Sequence, residues 1–174
     1  PIEKISKQLG NGELLSQLVN KNVVYNFREN DLINGGDGAP LTPIYHELLE
    51  KKFNIKPVSF INVGGILNKT TICSDGELLA KDEGPGMCLI DKWIRINTKK
   101  RYDKNGDIAK SGKVNKLIVN QYIDNFESSN SKKNSFDTND FDISVVIGLS
   151  LKDGAATLTY ITIDIINSLF LKNK

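Results

Sequence analysis

The residue best placed for chemistry in this sequence is Asp82, within the stretch KDEGPGMCLIDKW that runs from Lys81 to Trp93. A strand pattern precedes it, and Gly84-Pro85-Gly86 separates it from an apolar helical pattern. A carboxylate between a strand end and a helix N-terminus is in a typical position for chemistry in α/β folds. The alternative is an acid that only complements the helix dipole, which is the role predicted for Glu83 and Asp91.

Two further glycine clusters could let a ligand approach the main chain. Gly64 and Gly65 interrupt the segment 60–72 (FINVGGILNKTTI), and a second cluster, GGDGAP, spans 35–40. Glycine permits positive φ angles and leaves the amides open to an anion such as phosphate. The sequence lacks a GK[ST] after either cluster and contains no GxGxxG, which excludes a Walker-type loop and a dinucleotide fingerprint. Taken alone, each cluster indicates a tight turn more often than a phosphate cradle.

Composition limits the classes of protein to consider. The chain has 174 residues, of which 39% are hydrophobic and 25% charged, as expected of an ordinary globular domain. With 23 basic and 21 acidic residues the net charge is +2, so no basic face predicts nucleic-acid binding, and no segment predicts a membrane span. Cys73 and Cys88 form no CxxC pair and no secretory leader is evident, which favours a cytoplasmic protein with reduced thiols. Because His46 is the single histidine, a protein-bound metal centre is not predicted.

The elements that must position these residues can be predicted from periodicity. The first part of the chain predicts a helix over Glu13–Val19, a strand over Asn22–Phe27 and a helix that begins at Pro43. The next part predicts a strand over Val58–Val63 and a hairpin around Asp75-Gly76. Asp82 therefore lies between this hairpin and the helix that follows the Gly-Pro-Gly turn.

The last part of the chain is predicted to be helical around one polar segment. An apolar stripe that ends at Phe126 predicts a helix, and the polar residues 127–140 predict a loop or linker. Ser150 and Asp153 have the spacing of a capping box. The final helix should bury one apolar face, formed by Leu158, Ile161, Ile165 and Leu169.

Five segments in this order resemble one family: QLGNGELLSQL, VVYNFRENDLINGGDGAPLTPIYH, FINVGGILNKTTI, DEGPGMCLIDKW and LSLKDGAATLT. They are similar to the anhydro-N-acetylmuramic acid kinase family of the actin/hexokinase superfamily of sugar kinases. The resemblance implies an α/β fold with a ribonuclease H-like (actin-like ATPase) mixed sheet flanked by helices. Family members are longer, so it also implies a partial chain of a two-lobed kinase that is inactive alone. Residues 1–126 would carry the sugar pocket and the catalytic aspartate, 127–142 a polar loop or linker, and 143–174 the start of the second lobe.

The same resemblance implies an activity and its requirements. Such kinases use Mg²⁺ and ATP to convert 1,6-anhydro-N-acetylmuramic acid, with water, to N-acetylmuramic acid 6-phosphate during peptidoglycan recycling. Asp82 would be the general base that takes a proton from the attacking water. The opened ring would then present its O6 to the γ-phosphate. The implied partners are the amino sugar, ATP and a second copy of the chain in a cytoplasmic homodimer.

The resemblance also assigns binding residues. For the sugar it implies Arg28, Gly36, Gly38 and Asp82, with the Arg28 guanidinium suited to a carboxylate of the sugar. For the phosphates and nucleotide it implies Asn62, Gly64, Gly65, Asn68, Gly84 and Gly86. Two positions depart from the family's usual Asp-Thr-Gly-Pro-Gly-Asn motif, because this chain has Glu83 for the threonine and Met87 for the asparagine. A kinase of another sugar therefore stays open as an alternative. A non-catalytic sugar-binding fragment also stays open, because the glycine- and serine-rich phosphate loop of the family is missing from this sequence.

Overall fold

The computed structural model describes residue 7 and residues 9–36, 38–130 and 135–171. The chain divides into two compact units, Pro1–Lys56 and Pro57–Lys174. The first unit carries Arg28 and the GGDGAP loop, and the second carries Asp82 with the other two glycine segments. Each unit is described in turn.

The described part of the first unit is helical, with α1 at Gly12–Val19, α2 at Phe27–Ile33 and α3 at Pro43–Phe53. Helix α1 begins at Asn11, whose side chain accepts a hydrogen bond from the Leu14 amide at 2.9 Å. Pro43 occupies the first turn of α3, as predicted. The strand predicted over Asn22–Phe27 is wrong: Asn26 has a left-handed backbone with φ of 62°, and α2 begins at the next residue. The apolar run was typical of a strand, but a left-handed residue cannot continue an extended ladder.

The second unit opens with three antiparallel strands in the order β1–β2–β3, formed by Val58–Val63, Ile66–Ile72 and Leu78–Pro85. The predicted hairpin at Asp75-Gly76 is confirmed, since the Gly76 amide donates to Cys73 O at 3.0 Å and the Cys73 amide to Glu77 O at 2.9 Å. The predicted α/β class with a sheet flanked by helices is also confirmed. In the described residues the sheet is antiparallel throughout, whereas a mixed sheet was expected.

Four helices follow, α4 at Cys88–Asn97, α5 at Asp107–Lys110, α6 at Lys116–Asn130 and α7 at Leu151–Leu171, with three single 3₁₀ turns at Lys104–Gly106, Thr138–Asp140 and Ser144–Val146. Helix α7 contributes the predicted apolar face, and its four residues are 0–5% exposed. Trp93 of α4 donates from Nε1 to Leu151 O at 3.0 Å, which ties α4 to the start of α7. The Ser150 hydroxyl accepts from the Asp153 amide at 3.1 Å and donates to its carboxylate at 2.8 Å, so the predicted cap is present. None of the helices in the described ranges is long and apolar enough to cross a membrane.

The segment 127–142 is partly built into this unit. Its first residues extend α6, residues 131–134 lie outside the described ranges, and Asp137 caps the turn Thr138–Asp140 through a capping box. Phe141 is only 3% exposed and packs with Phe136 at a ring-centroid distance of 5.3 Å. The described part of the segment therefore contributes to the core, and the division of the longer protein at 127–142 stays a prediction.

Candidate active site

Asp82 ends a polar row that crosses all three strands. In the strand register Asn62 faces Asn68, and Asn68 faces Asp82. Residues directly opposite each other in antiparallel strands share one face of the sheet and lie close together. Three residues predicted separately to bind substrate or phosphate are thereby brought to one place. Their amide and carboxylate groups can donate to and accept from a hydroxylated ligand.

The Asp82 carboxylate is oriented by the main chain of a distant segment. Its Oδ2 accepts a hydrogen bond from the Phe136 amide at 2.8 Å, while Oδ1 accepts none from the described residues. The Phe136 ring packs against Phe126 at 5.8 Å and Phe141 at 5.3 Å, which holds the donor in place. One oxygen of the half-buried carboxylate is thus fixed, and the other can accept a proton.

A β-bulge lies directly after Asp82. The register places Asn68 opposite Asp82 but Leu67 opposite Gly84, so Glu83 is the extra residue of β3. Its side chain is 7% exposed and forms ion pairs with Lys69 at 3.5 Å and Lys81 at 3.0 Å. Bulges bend a strand and redirect its side chains, and they are common beside active sites.

Gly84 and Pro85 belong to the end of β3 rather than to the predicted turn, and this strand end, with Gly86, closes onto the Gly64-Gly65 loop through three backbone hydrogen bonds. Gly65 O accepts from the Gly86 amide at 3.0 Å and the Cys88 amide at 3.2 Å, and Gly64 O accepts from the Met87 amide at 2.7 Å. A Cβ at Gly86 would lie 2.2 Å from Gly64 O, so only glycine allows this approach. The amides of Gly86, Met87 and Cys88 are therefore bonded within the protein. By contrast, the amides of Gly64 and Gly65 donate to no acceptor in the described ranges.

Three side chains from the core contact the segment Gly84–Gly86. Thr162 of α7 is 2% exposed and donates its hydroxyl to Gly86 O at 2.8 Å. Gly84 has φ of 150°, and a Cβ there would lie 3.0 Å from the Phe126 ring and 3.3 Å from Ile165. Gly84 and Gly86 thus have clear packing roles. Their predicted contact with a nucleotide stays a prediction.

In the first unit, Arg28 and the glycine loop form a second group of predicted site residues. Arg28 Nη1 donates to Gly38 O at 2.6 Å, and Asp31 Oδ2 accepts from the Gly38 amide at 2.8 Å. A Cβ at Gly36 would collide with the Asp31 carboxylate at 2.1 Å. Helix α2 therefore holds the loop through both the carbonyl oxygen and the amide of Gly38. Arg28 is exposed, and its guanidinium has further N–H groups that can donate to a ligand.

The described residues offer one group that could hold a metal ion, and it lies away from Asp82. Cys73, Asp75 and Glu77 bring their ligand atoms within 4.8 Å of one another in the β2–β3 turn, at the opposite end of the hairpin. The acidic residues of this group are exposed. No group of three such side chains surrounds Asp82 within the described ranges.

Two open pockets also lie apart from the predicted residues. One, of about 440 Å³, follows α2 and is lined by Tyr25, Asn26, Phe27, Glu29, Asn30 and Ile33. The other, of about 460 Å³, lies at the start of α6 and is lined by Lys113, Val114, Asn115, Lys116, Leu117, Leu149 and Asp153. Neither pocket includes Asp82 or any other predicted site residue.

Three features of the site were missed in the sequence. The Phe136 amide that orients Asp82 lies 54 residues from it, and a backbone donor leaves no mark in the sequence. The bulge at Glu83 depends on the register between β2 and β3, which cannot be predicted from the sequence of one strand alone. The contact of Thr162 could have been anticipated, because a polar residue next to Ile161 on the buried side of α7 needs a hydrogen-bond partner.

Comparison with known proteins agrees with this arrangement of motifs. The family model for anhydro-N-acetylmuramic acid kinase matches residues 2–153. The chain belongs to the anhydro-N-acetylmuramic acid kinase family. The enzyme of that name from Pelagibacter ubique is 53% identical over 175 residues, which cover 98% of this chain and 47% of the relative. Those from Rhizobium etli and Agrobacterium fabrum are 40% and 42% identical over 92% and 93% of this chain. The chain spans about half the length of the curated relatives it matches.

Proposed function

We propose that the protein to which this chain belongs is an ATP-dependent kinase of 1,6-anhydro-N-acetylmuramic acid, and that this chain supplies its general base. The observation that carries the proposal is the row Asn62–Asn68–Asp82, with Asp82 held by the Phe136 amide. A sugar presents many hydroxyl groups, and this row offers donors and acceptors on one surface. Family membership supports 1,6-anhydro-N-acetylmuramic acid as the sugar.

In the proposed reaction, Oδ1 of Asp82 accepts a proton from a water that attacks the anomeric carbon. The bond between that carbon and O6 breaks, and O6 keeps the electron pair and attacks the γ-phosphorus of ATP, while the bond from that phosphorus to the β-phosphate oxygen breaks and ADP leaves. The Phe136 amide keeps the carboxylate in one orientation, so that its free oxygen faces the water. A positioned general base contributes about 10²–10⁴-fold to a rate. In phosphoryl transfer most of the remaining acceleration comes from positioning and charge neutralisation.

The nucleotide is expected at the Gly64-Gly65 loop. The two amides of this loop donate to no acceptor in the described ranges, and Gly65 is exposed. They can therefore donate to phosphate oxygens, whereas the amides of Gly86, Met87 and Cys88 are already bonded. Mg²⁺ would neutralise charge on the phosphates when bound with ATP. Asn62 and Asn68 are proposed as the neighbouring polar contacts.

The sugar is expected to contact Arg28 through its carboxylate, beside the loop that contains Gly36 and Gly38. The described contacts leave the guanidinium exposed, with Nη1 bonded to Gly38 O. A place in peptidoglycan recycling, a homodimeric state and a cytoplasmic location belong to the same proposal. Both cysteines are free thiols, which fits a reducing compartment.

The test is Asp82→Asn in the complete protein, with Asp124→Asn on the exposed side of α6 as the matched control. Asp82→Asn should lower kcat by about 10² or more, the range of general base catalysis, with little effect on stability. Asp124→Asn should leave kcat unchanged. A folded Asp82→Asn protein with more than a tenth of the parent activity would remove Asp82 from this role.

Another sugar is the second candidate, because Glu83 and Met87 replace the threonine and asparagine usual in the family. A panel of anhydro sugars and related amino sugars, assayed with the complete protein, separates the two candidates. Higher kcat/KM for a sugar other than 1,6-anhydro-N-acetylmuramic acid would favour the second. Binding of the sugar without turnover in a complete, folded protein would favour a binding module.

A further inference from the structure

The buried carboxylate of Glu83 has no part in the mechanism above, although it adjoins the general base. Its side chain is 7% exposed, and Oε1 lies 3.5 Å from Lys69 Nζ in a geometry that makes no hydrogen bond. Burying a carboxylate is costly unless partners compensate for its lost hydration. A buried, incompletely bonded charge beside an active site therefore needs a physical explanation.

The strand register supplies one. Lys69 of β2 and Lys81 of β3 are directly opposite each other, and like charges in that position repel. The Glu83 carboxylate contacts both, with Oε2 at 3.0 Å from Lys81 Nζ and Oε1 at 3.5 Å from Lys69 Nζ. It thus neutralises a repulsive pair that would otherwise separate the two strands at this point.

The location of the contact matters because Glu83 is the bulged residue. Successive side chains of a strand alternate between faces, so Lys69 and Lys81 share the face opposite to Asn68 and Asp82. Anchoring Glu83 on the face that carries Lys69 and Lys81 keeps it as the residue of β3 without a partner in β2. If the bulge were lost, Leu67 would face residue 83, and every later residue of β3 would move by one position.

Such a shift would break the junction behind the site. The Gly86 and Met87 amides reach Gly65 O and Gly64 O only if the strand ends in its present register. The bulge therefore sets the spacing between the Asp82 carboxylate and the glycine loop to which the nucleotide is assigned. The Thr162 contact with Gly86 O depends on the same spacing.

We propose that Glu83 is a positioning residue: by bridging Lys69 and Lys81 it fixes the bulge that places Asp82 relative to the Gly64-Gly65 loop. This inference rests on the proposed function for its catalytic consequence, but the positioning itself can be measured without turnover. Glu83 touches neither the sugar nor the nucleotide in this scheme.

The experiment compares Glu83→Gln with the parent in the complete protein, by hydrogen exchange and by steady-state kinetics. The matched control is Glu47→Gln, which removes an exposed ion pair to Lys51 on α3. Glu83→Gln should speed exchange of the Gly86, Met87 and Cys88 amides roughly tenfold while β1 stays protected. It should also lower kcat by roughly tenfold, since small misplacements of catalytic groups have effects of this order. KM values for sugar and ATP should stay within about twofold.

A rescue variant separates positioning from simple destabilisation. In Glu83→Gln/Lys81→Gln one of the two facing charges is gone, so amide protection and kcat should both partly recover relative to Glu83→Gln alone. A purely structural role would instead lower the melting temperature and leave the kcat of folded protein unchanged. Unchanged protection of the Gly86–Cys88 amides in folded Glu83→Gln would overturn the proposal.

Two further results keep the inference separate from the proposed function. If the parent itself fails to phosphorylate the sugar, the proposed function fails, and the exchange measurement still decides the role of Glu83. If Glu83→Gln does not fold, Lys81→Gln replaces it, because Lys81 is half exposed and its loss leaves Glu83 paired with Lys69 alone. Lys81→Gln should speed exchange of the same amides severalfold, and parent-like protection in that variant would overturn the proposal.

Discussion

Gly86→Ala tests the junction that joins the end of β3 to the Gly64-Gly65 loop. The new Cβ would lie 2.2 Å from Gly64 O and 3.2 Å from Gly65 O. Both atoms belong to the backbone, so relief requires the two segments to move apart. The three hydrogen bonds that join them, donated by the amides of Gly86, Met87 and Cys88, would then lengthen or break.

The size of the effect follows from those bonds. A backbone hydrogen bond contributes about 0.5–1.5 kcal/mol net, so three give about 3 kcal/mol. Strain from forcing an atom into a packed site adds about 1–3 kcal/mol if the loop cannot move. We expect the opening free energy of the first turn of α4 to fall by about 3 kcal/mol or more in Gly86→Ala, with loss of turnover because the turn adjoins Asp82.

Native-state hydrogen exchange of the complete protein measures this free energy at the amides concerned. Gly10→Ala is the matched control, since a Cβ there meets no atom within 4 Å. That change should be neutral or stabilising by about 0.4–1 kcal/mol, because alanine restricts the unfolded chain. A Gly86→Ala protein whose α4 amides are as protected as those of Gly10→Ala would refute the junction.

Three other predictions concern the sugar loop, the core support and the thiols. Arg28→Ala should raise KM for the sugar roughly tenfold or more, as expected for loss of a charged hydrogen bond, and leave KM for ATP nearly unchanged; equal effects on both would contradict a sugar-side role. Thr162→Val should cost about 1–3 kcal/mol, because Gly86 O loses its buried donor; an unchanged melting temperature would disprove the contact. Burial raises the pKa of the Cys88 thiol, so iodoacetamide should modify the half-buried Cys73 first at pH 8, and equal rates in the folded protein would contradict this.

Those parts of the fold that depend on local pattern could be predicted. The hairpin at Asp75-Gly76 and the buried face of α7 follow from turn chemistry and from helical spacing, and both are present. The strand predicted over Asn22–Phe27 failed because a β-branched run does not report whether Asn26 will take a left-handed backbone. Local pattern therefore identified most elements but not this break.

The candidate site could be predicted only in part, for a related reason. Asp82 and the glycines were identified by residue type and by resemblance, and Asn62 and Asn68 join Asp82 through strand register. The bulge at Glu83 and the amide that orients the carboxylate depend on contacts between segments distant in sequence. Such contacts are set by packing of the whole unit, which single-segment periodicity does not encode.

The most direct test of the central claim is the fate of water oxygen in the reaction. The complete protein is incubated with 1,6-anhydro-N-acetylmuramic acid and Mg-ATP in oxygen-18 water, and the product is analysed by mass spectrometry. If Asp82 activates water for ring opening, the product will carry one phosphate and one heavy oxygen on the sugar, and Asp82→Asn will slow the formation of both together by about 10²-fold or more. A phosphorylated product without the heavy oxygen, formed by folded and complete protein, would contradict the account.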